Sequence, residues 1–141
     1  MKDTLQVGMS ATRCITIDKA RTVDFLGEQL CVYSTPSLVF DFEVACREFL
    51  LDYCDAGEDS VGTSINMTHG GATLLGSVVD IQITVAAVEG RKISFQLVAR
   101  EGAEEISRGE HGRFVIQVDK LRAKVAAKAA LTASPALPCV A

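Results

Sequence analysis

Two rhythms of apolar and polar positions run along this chain. Segments 77–88 (SVVDIQITVAAV), 92–100 (KISFQLVAR) and 104–118 (EEISRGEHGRFVIQV) alternate apolar with polar residues and are rich in β-branched side chains. That period of two predicts half-buried strands. Glu89-Gly90 and Glu101-Gly102 interrupt them, which predicts tight antiparallel turns. Residues 11–18 (ATRCITID) and 59–69 (DSVGTSINMTH) alternate in the same way, the second with Val61, Thr63, Ile65, Met67 and His69 on one face. Between them the rhythm is helical. Thr35 suits an N-cap and Pro36 the first helical position, so a helix is expected from Pro36 to about Cys54, ended by Asp55-Ala56-Gly57. At 100° per residue, Ser37, Asp41, Glu48 and Asp52 form one thin polar stripe, and Leu38, Val39, Phe42, Ala45, Cys46, Phe49 and Leu50 fill much of the rest. A helix this apolar has to be wrapped by something. Residues 19–34 read as irregular, with one helical turn near Thr22–Leu26, and 119–130 as a short basic helix.

The order is strand, long apolar helix, then four strands joined largely as a meander. This predicts an α+β chain of the hot-dog architecture, a long central helix wrapped by an antiparallel sheet of about five strands. With 141 residues the chain suits one domain, taken as 1–130, with a flexible C-terminal tail over 131–141 that holds Pro135 and Pro138. A net charge of −4 argues against a nucleic-acid binder, which usually carries a basic surface. The five cysteines, Cys14, Cys31, Cys46, Cys54 and Cys139, are odd in number and lack C-x-x-C spacing. They read as reduced thiols in a cytoplasmic protein. The first residues show no leader pattern, and no apolar run approaches the ~20 residues of a membrane helix. No metal and no cofactor are expected, because the two histidines and the scattered cysteines lack ligand spacing.

Three residues stand out chemically. Glu43 lies roughly 200° around the helix from the polar stripe, towards the core, where a carboxylate is costly unless paired. It reads either as an i,i+4 partner of Arg47 or as a carboxylate tuned for use as a base. His69 continues an apolar strand face and meets Gly70-Gly71. It reads either as a core histidine or as a catalytic one beside glycines that allow close backbone approach. Thr35 at the helix start is a cap. It is also a hydroxyl where a developing negative charge would be stabilised by helix N–H groups.

Taken together, Thr35, Glu43 and His69 make the chain resemble the fluoroacetyl-CoA thioesterase family of hot-dog enzymes. Three stretches carry the resemblance: Thr35 followed eight residues later by Glu43; Gly57-Glu58-x-Ser60-Val61-Gly62-Thr63 running on to Thr68-His69; and Val88-Glu89-Gly90-Arg91 followed by Gly109-x-His111-x-Arg113. The resemblance implies that Thr35, Glu43 and His69 are catalytic, and that the Gly62 backbone and Arg113 help hold the thioester. From residues alone, Arg113 also suits a cross-strand ion pair with an acidic residue of 104–110, and His111 a structural or interfacial place. One departure concerns specificity. The family's fluoroacetate enzyme has phenylalanines ahead of its threonine that gate the fluorinated acyl group. Segment 25–34 here is FLGEQLCVYS, with only Phe25 and Tyr33 aromatic.

The function this implies is hydrolysis of a small acyl-CoA, or another acyl thioester, to a carboxylic acid and a free thiol. The alternatives are a non-catalytic hot-dog module that binds an acyl thioester and a hot-dog enoyl thioester hydratase. The expected partners are the acyl-CoA substrate and a second copy of the chain, in a homodimer or a dimer of dimers, with no nucleic acid and no membrane. Lys120, Arg122, Lys124 and Lys128 suit either CoA phosphates or an ordinary solvated helix face.

Overall fold

The computed structural model of the chain describes residues 1–133. Seven strands and two helices follow in order: β1 (Ser10–Thr16), β2 (Thr22–Val23), β3 (Val32–Tyr33), α1 (Thr35–Leu51), β4 (Glu58–His69), β5 (Val78–Glu89), β6 (Lys92–Glu101), β7 (Glu104–Gln117) and α2 (Val118–Leu131). Five strands make one antiparallel sheet in the order β1-β5-β6-β7-β4. The expected meander is present as β5-β6-β7, while β4 pairs with β7 at the far edge. Two-residue turns, Gly90-Arg91 and Gly102-Ala103, join the meander. Gly90 and Gly102 have φ of +62° and +57°, which only glycine adopts without strain.

Odd-numbered residues of β5 and β6 point to the concave side: Val79, Ile81, Ile83, Val85, Ile93, Phe95, Leu97 and Ala99 are buried. They form one core with Leu38, Phe42, Ala45, Cys46 and Leu50 of α1. Burying each large apolar side chain is worth roughly 1.5–3 kcal/mol, well above any difference in helix propensity. This shared face is therefore what fixes α1 on the sheet. The wrapping is incomplete within one chain. Phe40 is 62% exposed, and the whole run Val61–Asn66 of the β4 edge is exposed.

Four expectations need correction. Residues 19–34 hold 3-10 turns at Lys19–Arg21 and Glu28–Leu30 and the small β2–β3 pair. Thr22-Val23 is thus strand rather than helical turn, because its backbone pairs with Val32-Tyr33. Ser34, not Thr35, is the N-cap of α1. Its Oγ accepts from the Ser37 N–H at 3.2 Å, and Thr35 is already helical. Asp41, placed on the polar stripe, is buried at 4% exposure because Arg21 and Tyr33 reach over to it. Finally, β4 does not keep one face from Val61 to His69. A bulge falls between Gly62 and Ser64, and one extra residue exchanges the two faces of a strand. Before it, Ser60 and Gly62 face inward; after it, Ile65, Met67 and His69 pair with the inward-facing residues of β7. Val61 and Thr63 turn outward, onto a groove shared with Phe114 and α2. From residue 134 on, the expected flexible tail lies outside the described residues.

Removing the Ser34 cap with Ser34→Ala should cost about 1 kcal/mol of stability. Thr35→Ala should cost much less, since the Thr35 hydroxyl caps nothing in the helix. Urea unfolding of the two variants checks this; equal losses would put the cap back at Thr35.

Candidate active site

His69 is the last residue of β4, and the bulge has turned it inward. Thr35, one residue past the cap, opens α1. Their side chains meet, with Thr35 Oγ1 and His69 Nδ1 2.9 Å apart. Backbone contacts fix this end of β4. The N–H groups of Gly70 and Gly71 both donate to the Ile106 carbonyl, at 3.0 and 3.3 Å. A Cβ on Gly71 would lie 2.7 Å from Ile106 Cγ2, so the glycine serves close packing onto β7. Burial pushes the His69 imidazole pKa below its ordinary value. Its Nε2 is buried and has no hydrogen-bond partner among the described residues. An unpaired buried polar atom costs roughly 1–3 kcal/mol and asks for an explanation. At the helix start, the Ser37 N–H is used by Ser34 Oγ and the Leu38 N–H by the Ser34 carbonyl. Pro36 has no N–H, which leaves that of Thr35.

Glu43 belongs to a second cluster. Its carboxylate packs over Gly62, where a Cβ would lie 2.5 Å from Oε1. Any larger residue at 62 would displace it. Arg113 supports it from below: Nη1 is 3.3 Å from Glu43 Oε1 and 3.4 Å from the Glu43 carbonyl. The remaining guanidinium donors go to Ser60, Nε to its Oγ at 2.8 Å and Nη2 to its carbonyl at 2.7 Å. Arg113 is itself 2% exposed, and burial lowers its pKa. His111 Nδ1 lies 2.8 Å from the Ser64 carbonyl. A carbonyl only accepts, so Nδ1 carries the proton. Nε2 then accepts from Arg113 Nη1 at 3.2 Å. Burial first, and the Arg113 charge further, depress the His111 pKa.

Both simple pairings read from residues alone are absent. Arg47 reaches Asp59, with Nε 2.9 Å from Oδ1, rather than Glu43. Glu105 takes Arg100 and Arg108, while Arg113 turns inward. Glu43 also differs from the expected core position. Its side chain is 42% exposed, on the open face shared by Val39, Ile65 and His111. The structure thus brings Thr35 to His69 and, separately, Glu43 to Gly62, His111 and Arg113. Eight residues of helix set Thr35 and Glu43 about 12 Å apart along the axis. In α2, Lys120 and Lys124 border the outer groove of about 570 Å³, floored by Val61 and Phe114, while Arg122 pairs with Asp119.

Residues 19–41 hold a cluster that periodicity did not single out. Tyr33 Oη donates to Asp41 Oδ2 at 2.5 Å, and Arg21 grips both oxygens of Asp41, through Nε at 2.9 Å and Nη2 at 3.1 Å. The sequence signal was present in principle: a tyrosine two residues before the helix and an aspartate two turns along it.

A five-stranded antiparallel sheet around one long helix, with polar side chains gathered at the helix start and the outer strand, defines a hot-dog protein of the thioesterase kind. The chain belongs to the family described as fluoroacetyl-CoA-specific thioesterase, whose model matches residues 17–119. It is 36% identical over 135 residues to the fluoroacetyl-CoA thioesterase of Streptantibioticus cattleyicolor, covering 91% of this chain and 97% of that one. The crystal structure of a phenylalanine-to-alanine variant of the fluoroacetyl-CoA-specific thioesterase FlK superposes with a TM-score of 0.81 at 34% identity, over 90% of this chain and 99% of that one. A thioesterase-superfamily member from Thermus thermophilus shares the fold, with a TM-score of 0.84 at 24% identity over 94% and 99% of the two chains. No helix among the described residues is long and apolar enough to cross a membrane.

Both described histidines have depressed pKa values in the fold, so the unfolded chain binds their protons more tightly, near pH 6.5. Stability is then full above about pH 6.5 and falls as the pH drops through that value towards the folded pKa values. Melting temperature should decline between pH 7 and 5, above the range where carboxylates titrate. His111→Gln should flatten that decline; an unchanged slope would mean that the protons are taken up elsewhere.

Proposed function

We propose that this protein hydrolyses a small acyl-CoA with Thr35, Glu43 and His69, in a site completed by a second copy of the chain. Thioester hydrolysis is the activity of the family it belongs to. The observation that carries the residue assignment is the buried, unpartnered Nε2 of His69, on a ring whose other nitrogen meets Thr35. A substrate atom or a water is the partner that Nε2 lacks. In the proposed reaction, Glu43 takes a proton from water, or from the Thr35 hydroxyl, as the new C–O bond forms. The thioester oxygen becomes an oxyanion, stabilised by the Thr35 N–H at the start of α1. As the C–S bond breaks, the CoA thiolate leaves and takes up a proton by way of His69. If water attacks, the acid is released directly; if Thr35 attacks, water then cleaves the acyl-Thr35 ester with Glu43 again taking its proton. Either route ends in the acid and free CoA.

One chain does not bring Glu43 to its own Thr35–His69 pair. The exposed β4 edge, half-exposed Glu43 and exposed Phe40 suit a partner that supplies the other half. Arg113 then acts on the thioester through Glu43, since its own guanidinium is enclosed. Lys120 and Lys124, with Arg91, line an open groove suited to the CoA phosphates.

His69→Ala and Glu43→Gln should each lower kcat by roughly 10²-fold or more in an acyl-CoA thiol-release assay, while both remain folded dimers. Refolding the two inactive variants together tests the shared site. Half of the resulting dimers are mixed, and each mixed dimer carries one intact site, so about a quarter of wild-type activity should return. No recovery would mean that each chain builds its own site.

Fluoroacetyl-CoA should not be strongly preferred over other short acyl-CoAs. Tyr33, one of two aromatics before Thr35, is buried and bound to Asp41, and Phe25 is 86% exposed. A large selectivity for the fluorinated substrate in direct competition would show that another part of the pocket supplies the gate.

A further inference from the structure

We propose that Tyr33 is a positioning residue for His69, held in place by buried Asp41 and its partner Arg21. The inference rests on the reading that His69 acts on the thioester. A histidine that works on a reacting group needs a fixed ring, and the usual device is a carboxylate on its second nitrogen. No carboxylate bonds His69 among the described residues. Its one hydrogen bond is to Thr35, an exposed hydroxyl that takes part in the same chemistry. That bond alone cannot hold the ring while the hydroxyl changes partners.

Packing takes over the task. Tyr33 meets the His69 imidazole edge to face, with centroids 6.1 Å apart and planes at 75°, a favoured aromatic geometry. The tyrosine is itself immobilised from three directions. Its hydroxyl donates to Asp41 Oδ2 at 2.5 Å. Its N–H donates to the Thr73 carbonyl at 2.8 Å, in the segment that follows His69. The next residue, Ser34, donates its N–H to the Arg21 carbonyl at 2.8 Å. Arg21 in turn grips Asp41 with two nitrogens and Asp18 with a third, Nη1 to Oδ2 at 2.8 Å. One hydrogen-bonded network therefore runs from the 3-10 turn through α1 to the ring beside His69. Both ends of the Thr35–His69 contact hang on it, since Tyr33 and Ser34 lead directly into Thr35.

Acetyl-CoA hydrolysis by full-length Tyr33→Leu and Tyr33→Phe, with His69→Ala as control, tests the inference. Tyr33→Leu should lose about tenfold in kcat with little change in KM, as expected for a misaligned group. Its His69 imidazole NMR titration should move up towards the ordinary value as the shielding ring is lost. Tyr33→Phe keeps the ring but loses the bond to Asp41, so it should lose several-fold in kcat, less than Tyr33→Leu, and leave the His69 titration close to wild type. Wild-type kcat and an unmoved titration in folded Tyr33→Leu would overturn the proposal, as would a loss of melting temperature alone. If Tyr33→Leu does not fold, Asp41→Asn loosens the anchor without removing the ring. It should lose several-fold in kcat, and wild-type kcat there overturns the proposal equally. Retained turnover in His69→Ala would instead refute the catalytic reading of His69, and the NMR arm would still report whether Tyr33 sets the ring's environment.

Discussion

A buried guanidinium is the constraint on which the outer half of this structure depends. Arg113 sits in β7 with its side chain sealed beneath α1 and β4. An enclosed charge is tolerated only when its donors are taken up, because a buried charge left without partners is strongly destabilising. Its partners therefore become fixed points: Ser60 by hydroxyl and carbonyl, His111 by Nε2, and Glu43 by carbonyl and carboxylate. These belong to three different elements. The demand of one charge thus sets the distance between helix and strands, the tautomer of His111 and the direction of the Glu43 side chain. Gly62 is part of the same arrangement, since the carboxylate occupies the space its Cβ would fill.

The β-bulge next to Gly62 solves the companion problem. Glu43 requires Gly62 to face inward, and Thr35 requires His69 to face inward. The two positions are seven residues apart, so strict alternation would put them on opposite faces. One extra residue between Gly62 and Ser64 reconciles them. It also turns Val61 and Thr63 outward, into the groove beside Lys120 and Lys124.

Much of this was legible in the amino-acid sequence. The strands of the meander were readable because one face of each is buried, and burial at a period of two is the strongest local signal a chain carries. The long apolar helix was readable for the same reason. The pairing of Thr35 with His69 could not be read from spacing, because it joins residues 34 apart; the resemblance to a family supplied it. The bulge was invisible because Val61, Thr63, Ile65 and Met67 continue an apolar-looking alternation straight through it. The cap lies one residue before the position the sequence suggests, because Ser34 and Thr35 both suit the role and only backbone geometry separates them. The Tyr33–Asp41–Arg21 network was hidden because its members lie in a segment with no periodicity at all.

The two carboxylates in the middle of α1 show why periodicity alone misplaces chemistry. The helical wheel puts Asp41 on the solvated stripe and Glu43 towards the core. The structure reverses their exposure, and hydrogen bonding explains what each can then do. Asp41 has both oxygens occupied, one by Tyr33 and Arg21 and the other by Arg21 again. An anion held by three hydrogen bonds, with both oxygens engaged, is fixed in place and acts as an anchor. Glu43 has one long contact, 3.3 Å to Arg113, and an open side facing the β4 edge. That carboxylate is oriented yet unsaturated, the condition for accepting a proton from a substrate or a water. Two arginines thus give opposite settings to acids two residues apart: Arg21 immobilises Asp41 with both its oxygens engaged, and Arg113 orients Glu43 while leaving one side of its carboxylate open.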